Sequence, residues 1–259
     1  MIPPINIIEY LNENYPNIGK IKNVRALPHN DINSINFLIY AKNKKYVLRN
    51  FFGRQSEKIE RICNILEFCI ENKIKVYQPI KNKNNKFVDK KNNIFMTKYY
   101  NGKSFQGTKQ ELIDVAKNLA LLHNTLEKNQ INYNFRSDFK FYKPLSKKEL
   151  KLIEKKINKK SQVDSLDLKI KKNLNLLNIL IINNQKISKN LNKTSTKKQL
   201  IHDDLHPENI IFYKKQVRAI IDFNSMKKGE IIEDVAFTSF RLAVSTTNNI
   251  SKIKKKMKL

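Results

Sequence analysis

Three side chains near the C-terminal end of this chain could do chemistry together: Asp204, Asn209 and Asp222. They lie in Leu200-Ile-His-Asp-Asp-Leu-His-Pro-Glu-Asn209 and in Ile220-Ile-Asp-Phe223. The first stretch has the H-x-D-x-x-x-x-N spacing of a phosphoryl-transfer loop, with His202 two residues before Asp204. Between Asn209 and Asp222, two β-prone runs flank Lys214-Lys215-Gln216, which predicts a tight antiparallel hairpin. Asn209 should open its first strand and Asp222 end its second, so both side chains reach the same end of the ribbon. One oxygen from each can hold a hard divalent cation such as Mg²⁺, which prefers oxygen ligands. Asp204 is then free to face an incoming hydroxyl and take its proton. Such a set suits phosphoryl transfer, which asks a protein mainly for positioning and charge neutralisation. His202 reads as a brace for the loop. His206 is open between hydrogen-bonding the loop and approaching substrate.

The elements that must position these residues are legible as hydrophobic patterns. Residues 36–41 and 45–51 read as two strands around a short Lys-Asn-Lys turn. Residues 55–72 carry Ile59, Ile62, Cys63, Leu66, Phe68 and Cys69 at mixed spacings of three and four, a buried face on a helix. A further strand is expected within 93–102, a helix over 110–127, and helices over 147–160 and 165–191. Residues 192–198 read as a solvated loop.

The segment around Asp204 resembles the aminoglycoside phosphotransferase and choline kinase superfamily, whose motif runs H-G/N-D-x-H/N-x-x-N and then I/V-D-F/W. The matching residues are His202, Asp203, Asp204, His206, Asn209, Ile221, Asp222 and Phe223. Gly229-Glu-Ile-Ile-Glu-Asp-Val-Ala236 resembles the superfamily's G-x-x-x-x-D-L-A element, which implies that Asp234 braces the catalytic loop from an adjoining helix. The resemblance implies an α+β, two-lobed, protein-kinase-like fold: a small antiparallel-sheet nucleotide lobe over 1–99 and a mostly helical catalytic lobe over 100–259.

It also implies ATP and Mg²⁺ as cofactors and assigns further roles. Arg49 would clamp the nucleotide phosphates, paired with an acid on the following helix, Glu60 in preference to Glu57. The turn before the first strand would cover the phosphates; it has no glycine, and Asn33 and Ser34 are its candidates. Main-chain groups near Thr97, Lys98 and Tyr99 would read the adenine. The acceptor would be a small-molecule hydroxyl: an amino alcohol such as choline, a sugar, an aminoglycoside or homoserine. Protein phosphorylation is disfavoured, because no long activation segment ending in A-P-E follows Asp222. Inside the motif, Asp203 stands where many members carry Gly or Asn. Only 25 residues follow Asp234, fewer than relatives carry, so a truncated nucleotide-binding pseudokinase is the alternative.

The chain of 259 residues is long enough for two lobes and a sizeable core. No apolar run approaches the ~20 residues of a membrane span, and the N-terminus does not read as a signal peptide. Two cysteines on one expected helix suggest buried thiols in a reducing, cytoplasmic compartment. The net charge of +28 comes from 51 basic residues, of which only seven are Arg. The lysines are spread along the chain with Asn and Ile, whereas a dedicated nucleic-acid binder concentrates charge and uses Arg forks. A basic nucleic-acid-binding protein is therefore the weaker alternative. The reading favours a small-molecule partner, no specific nucleic acid and no membrane.

Overall fold

The computed structural model describes residues 6–28, 34–52, 55–129, 135, 145–191 and 198–246. They divide into two compact units, one formed by Met1–Ser137 with Lys198–Leu259 and the other by Asp138–Lys197.

The first unit opens with helix α1 (Ile7–Asn14) and strands β1 (Ile21–Ala26), β2 (Ser34–Ala41) and β3 (Lys44–Phe51). Helix α2 (Ser56–Glu71) and strands β4 (Pro79–Ile80), β5 (Val88–Asp89) and β6 (Ile94–Lys98) follow. These strands form an antiparallel sheet in the order β1-β2-β3-β6-β4, with β5 also on β6. Side chains alternate across a strand, and β3 uses this fully. Tyr46 and Leu48 are buried in a cluster with Tyr10, Leu11 and Tyr15 from α1 and its C-terminal end. Val47 and Arg49, out of step with them, line a cleft on the other face. One strand thus supplies both core and site. Helix α2 buries Ile59, Ile62, Cys63, Ile65, Leu66 and Cys69 in the larger core of the unit.

Helix α3 (Lys109–Lys128) begins with a capping box in which Thr108 and Glu111 satisfy each other's backbone amides. After the second unit the chain returns as β7 (Lys198–Ile201), β8 (Ile210–Tyr213), β9 (Gln216–Ile220), β10 (Lys227–Glu230) and α6 (Ile231–Val244). β7 pairs with β10, and β8 with β9. The β8–β9 turn is Lys214-Lys215, both at positive φ (50° and 63°), the backbone a two-residue hairpin needs.

This hairpin is tied down on both edges. Tyr77 N–H donates to Ile220 O (2.9 Å), and Ile220 N–H to Lys75 O (2.8 Å). Lys103 and Phe212 exchange both main-chain bonds (2.8 and 2.9 Å). Asp114 on α3 accepts the Val217 N–H (2.6 Å). Gly102 permits the close approach at Lys103, since a Cβ there would lie 2.4 Å from Phe212 O.

The second unit contains α4 (Lys147–Asn158) and α5 (Ser165–Leu191). Ser146 and Glu149 form a capping box at α4, and Lys160 pairs with Asp167 (2.6 Å) at the connection. Asn178 on α5 bonds both main-chain groups of Leu145 (2.9 and 3.1 Å).

The structure is α+β, as expected, and the helices and strands read from periodicity are present within a few residues. Strands β1, β7 and β10 carry too many polar residues to announce themselves, and the sequence reading does not include them. Asn209 does not open a strand. It closes a 3-10 turn, Pro207–Asn209, and the strand starts at Ile210. No helix among the described residues is long and apolar enough to cross a membrane.

Candidate active site

His202, next to the end of β7, organises the loop. It is fully buried, with its ring centroid 4.4 Å from that of Phe223. Its Nε2 lies 3.0 Å from Ile221 O, and its Nδ1 accepts the Asp204 N–H (3.2 Å). These contacts define the neutral tautomer with hydrogen on Nε2. Burial holds the His202 pKa below that of a free imidazole, although surrounding carboxylates oppose the shift. The ring therefore joins the loop before the hairpin to the residue preceding Asp222.

Asp234 on α6 performs the second join. Its Oδ2 accepts the His202 N–H (2.8 Å) and its Oδ1 the Asp203 N–H (2.6 Å). His123 Nε2 on α3 lies 2.9 Å from Oδ2. Burial raises the Asp234 pKa, but the three hydrogen bonds outweigh it and hold the carboxylate below its usual range. Asp203, at φ 63°, has its pKa raised by burial against the pull of Lys227, whose Nζ lies 2.8 Å from Asp203 and 2.9 Å from Glu233. The extra acid in the motif thus has its own counter-ion.

Asn209 is oriented by its amide hydrogens. Nδ2 donates to Asp204 O (2.9 Å) and lies 3.1 Å from His206 Nε2, while His206 Nδ1 lies 2.5 Å from Glu208. Both Nδ2 hydrogens are used in this way, and Oδ1 is the atom left to face a cation. The Ile221 N–H donates to Asn209 O (2.9 Å), which places Asn209 and Asp222 at the same end of the hairpin. Asp204, about a third exposed, has its carboxylate 3.8 Å from His206.

Asp222 sits in the left-handed region (φ 61°, ψ 65°), a conformation that costs a non-glycine residue about 1–3 kcal/mol. Its Oδ1 is buried and accepts no hydrogen bond among the described residues, and Arg49 Nη1 stands 3.7 Å away. A carboxylate oxygen without a donor, at the same hairpin end as an amide whose hydrogens are both used, fits a hard divalent cation. Mg²⁺ is commonly held by one or two protein oxygens plus substrate phosphates.

Arg49 and Asp222 line a cleft of about 160 Å³ with Val47, Tyr77, Phe95, Thr97, Lys98, Tyr99, Tyr100, Ile211 and Ile221. The N–H groups of Lys98 and Tyr99 are already taken by Gln78 O (2.8 Å) and Lys45 O (3.0 Å). Those two amides cannot read a purine edge in this arrangement.

Other expectations are corrected by the structure. Glu60 is not the partner of Arg49, because its carboxylate accepts the N–H groups of Phe87 (3.3 Å) and Val88 (2.8 Å) and so secures β5. Arg49 instead meets Asp222 and, through Nε, Asn36 Oδ1 (2.9 Å). Ser34 is the buried first residue of β2, opposite Phe51, and not part of a loop. Asn33 lies outside the described residues.

Sequence reasoning passes over Asn36, Tyr77, His123 as the partner of Asp234, and Lys227. Of these, Asn36 leaves a usable signal. It is a polar residue inside an apolar strand, and counting back from the β2–β3 turn sets it opposite Arg49.

The sequence matches the phosphotransferase enzyme family over residues 23–248. The chain belongs to that family, and it has a two-lobed kinase-like fold. No curated protein sequence matches it. Among solved structures it is similar to spectinomycin phosphotransferase in complex with ADP and spectinomycin. The TM-score is 0.72 at 19% identity, over 98% of this chain and 79% of that one. It is also similar to an amicoumacin kinase in complex with AMP-PNP, Ca²⁺ and Ami (TM-score 0.66, 12% identity, 97% and 75% covered). A choline kinase from Streptococcus pneumoniae matches with TM-score 0.55 at 17% identity, over 97% and 78%.

Proposed function

We propose that this protein transfers the γ-phosphoryl group of ATP to a hydroxyl of a small molecule, with Asp204 as the base and Asn209 and Asp222 as the protein ligands of Mg²⁺. Bound there, the cation would neutralise charge on the nucleotide phosphates and fix their orientation. Asp204 orients the acceptor hydroxyl and takes its proton as the oxygen attacks phosphorus. The new O–P bond forms as the bond to the ADP oxygen breaks. Arg49 faces the phosphates from β3, and the apolar side chains of Val47, Ile211 and Ile221 wall the cleft in which a purine would lie. His202 and Asp234 hold the loop backbone, and His206 orients the Asn209 amide.

The observation that carries this reading is Asp222: one carboxylate oxygen buried without a hydrogen-bond donor, on a left-handed backbone, at the same end of the hairpin as the oriented Asn209. Family membership supports a small-molecule acceptor, and amino alcohols, aminoglycosides, sugars and homoserine are the classes to try. ATP consumption with Mg²⁺ across such a panel, with ³¹P NMR of the product, tests the proposal. A phosphomonoester formed on one class is expected. Failure of every hydroxyl acceptor to raise ATP turnover would count against it.

A further inference from the structure

The phosphate-facing arginine lacks the helix-borne acid that the sequence reading gives it. The sheet surrounds Arg49 instead. In the antiparallel register Arg49 stands opposite Asn36 on β2 and Phe95 on β6. Asn36 Oδ1 accepts from Arg49 Nε at 2.9 Å, and the guanidinium carbon lies 5.8 Å from the Phe95 ring centroid. The Asn36 carbonyl accepts the Leu27 N–H (2.8 Å), fixing the backbone from which the amide reaches. Among the described residues helix α2 sets no acid against Arg49: Glu60 is committed to Phe87 and Val88, Cys63 is buried in the core with Tyr77, and Lys58, a cation, donates to the Asn224 carbonyl.

From this arrangement we infer that Asn36 is the positioning residue for the nucleotide clamp, holding Arg49 by its Nε edge so that the Nη edge faces the phosphates. The inference rests on the proposed reading of the cleft as an ATP site. It also explains why arginine suits this position. A planar fork can be held on one edge and present the other, whereas an ammonium is a single point charge at the end of a flexible stem. The clamp is then part of the rigid sheet, and its geometry does not depend on where α2 lies. The amide adds no charge, so Arg49 keeps its full positive charge for the phosphates and for Asp222.

The test measures Mg-ATP affinity by calorimetry on the full chain, with the unliganded melting temperature as a check on folding. Asn36→Ala and the near-isosteric Asn36→Leu both remove the acceptor, and Leu keeps the strand filled. Each is expected to weaken Mg-ATP binding about tenfold, the scale of one hydrogen bond to a charged group. In ATP-consumption assays KM for ATP should rise while kcat holds. In an Arg49→Lys background, already weakened, Asn36→Leu should have no further effect, because the Nε edge is gone. Wild-type affinity in Asn36→Leu, or an equal loss whether it is made in the wild type or in the Arg49→Lys variant, would overturn the inference while leaving the ATP site standing. No Mg-ATP binding by the wild type would overturn the ATP reading, and this inference with it.

Discussion

Between Ile201 and Phe223, polar side chains are committed one by one. His202 spans to Ile221 and Asp204, Asp203 is met by Lys227, Asn209 is held by Asp204 O and His206, and Asp234 collects two loop amides. Along α5 the situation is reversed. Leu166, Leu168, Leu176, Ile179 and Leu180 are each at least half exposed, and the polar residues between them mostly face solvent. The first region fixes most of its polar side chains through short, directional contacts, whereas α5 does so at Asp167 and Asn178 and leaves most of its length to solvent. Hydrophobic periodicity makes a helix, while chemistry needs polar groups whose orientation is over-determined.

The largest effect should come from the catalytic loop. Asp204→Asn keeps the shape and removes the proposed base. It should lower kcat by about 10²–10⁴, while Mg-ATP affinity stays near wild type. Rate assays with an identified acceptor check this, and undiminished turnover would strip Asp204 of its role.

Next comes the brace. Asp234→Ala leaves His123 and two loop amides without their buried acceptor. A loss of about 3–5 kcal/mol of unfolding free energy is expected, as for breaking a buried charged contact. Chemical denaturation would measure it, and a loss under about 1 kcal/mol, the scale of an ordinary surface pair, would show that the loop is held by other means.

A smaller effect follows from pH. The folded-state pKa of His202 is depressed by burial, so its contribution to stability is complete above the free imidazole's range, near 6.5. That contribution is lost as pH falls through this range, because the unfolded chain takes up the proton first. Asp234, also depressed, adds a second loss below the ordinary carboxylate range. The melting temperature should therefore fall more steeply between about pH 7 and pH 5 in the wild type than in His202→Gln. Parallel curves would show that His202 titrates freely in the fold.

The contrast predicts little at the other region. Leu168→Gln and Leu176→Gln change exposed positions, and each should shift stability by less than about 0.5 kcal/mol. A cost of about 2 kcal/mol or more, typical of a buried leucine, would mean that this face of α5 is covered in solution.

The same contrast governs what can be read without the fold. Asp204, Asn209 and Asp222 are legible because their spacing and an intervening two-strand pattern constrain where they meet. Helices α2, α3, α4 and α5 are legible from apolar spacing alone. The partner of Arg49 is not, because Glu57 and Glu60 lie on a helix whose rotation sequence does not fix, and Glu60 turns to cap β5. Strands such as Lys227–Glu230 are hidden because their residues are hydrophilic and their pairing with Lys198–Ile201 is long-range. The His123–Asp234 contact spans 111 positions and leaves no local trace.

The proposed role of Asp222 as a ligand of the cation is the pivot of the account, and thermal stabilisation by Mg-ATP tests it most directly. With ATP at about 100 times its dissociation constant, the wild type should gain about 2.7 kcal/mol, roughly 5–11 °C for a chain of this size. Asp222→Ala should melt at the same temperature with and without Mg-ATP. An equal gain in that variant would contradict the placement of the cation, and with it the site described above.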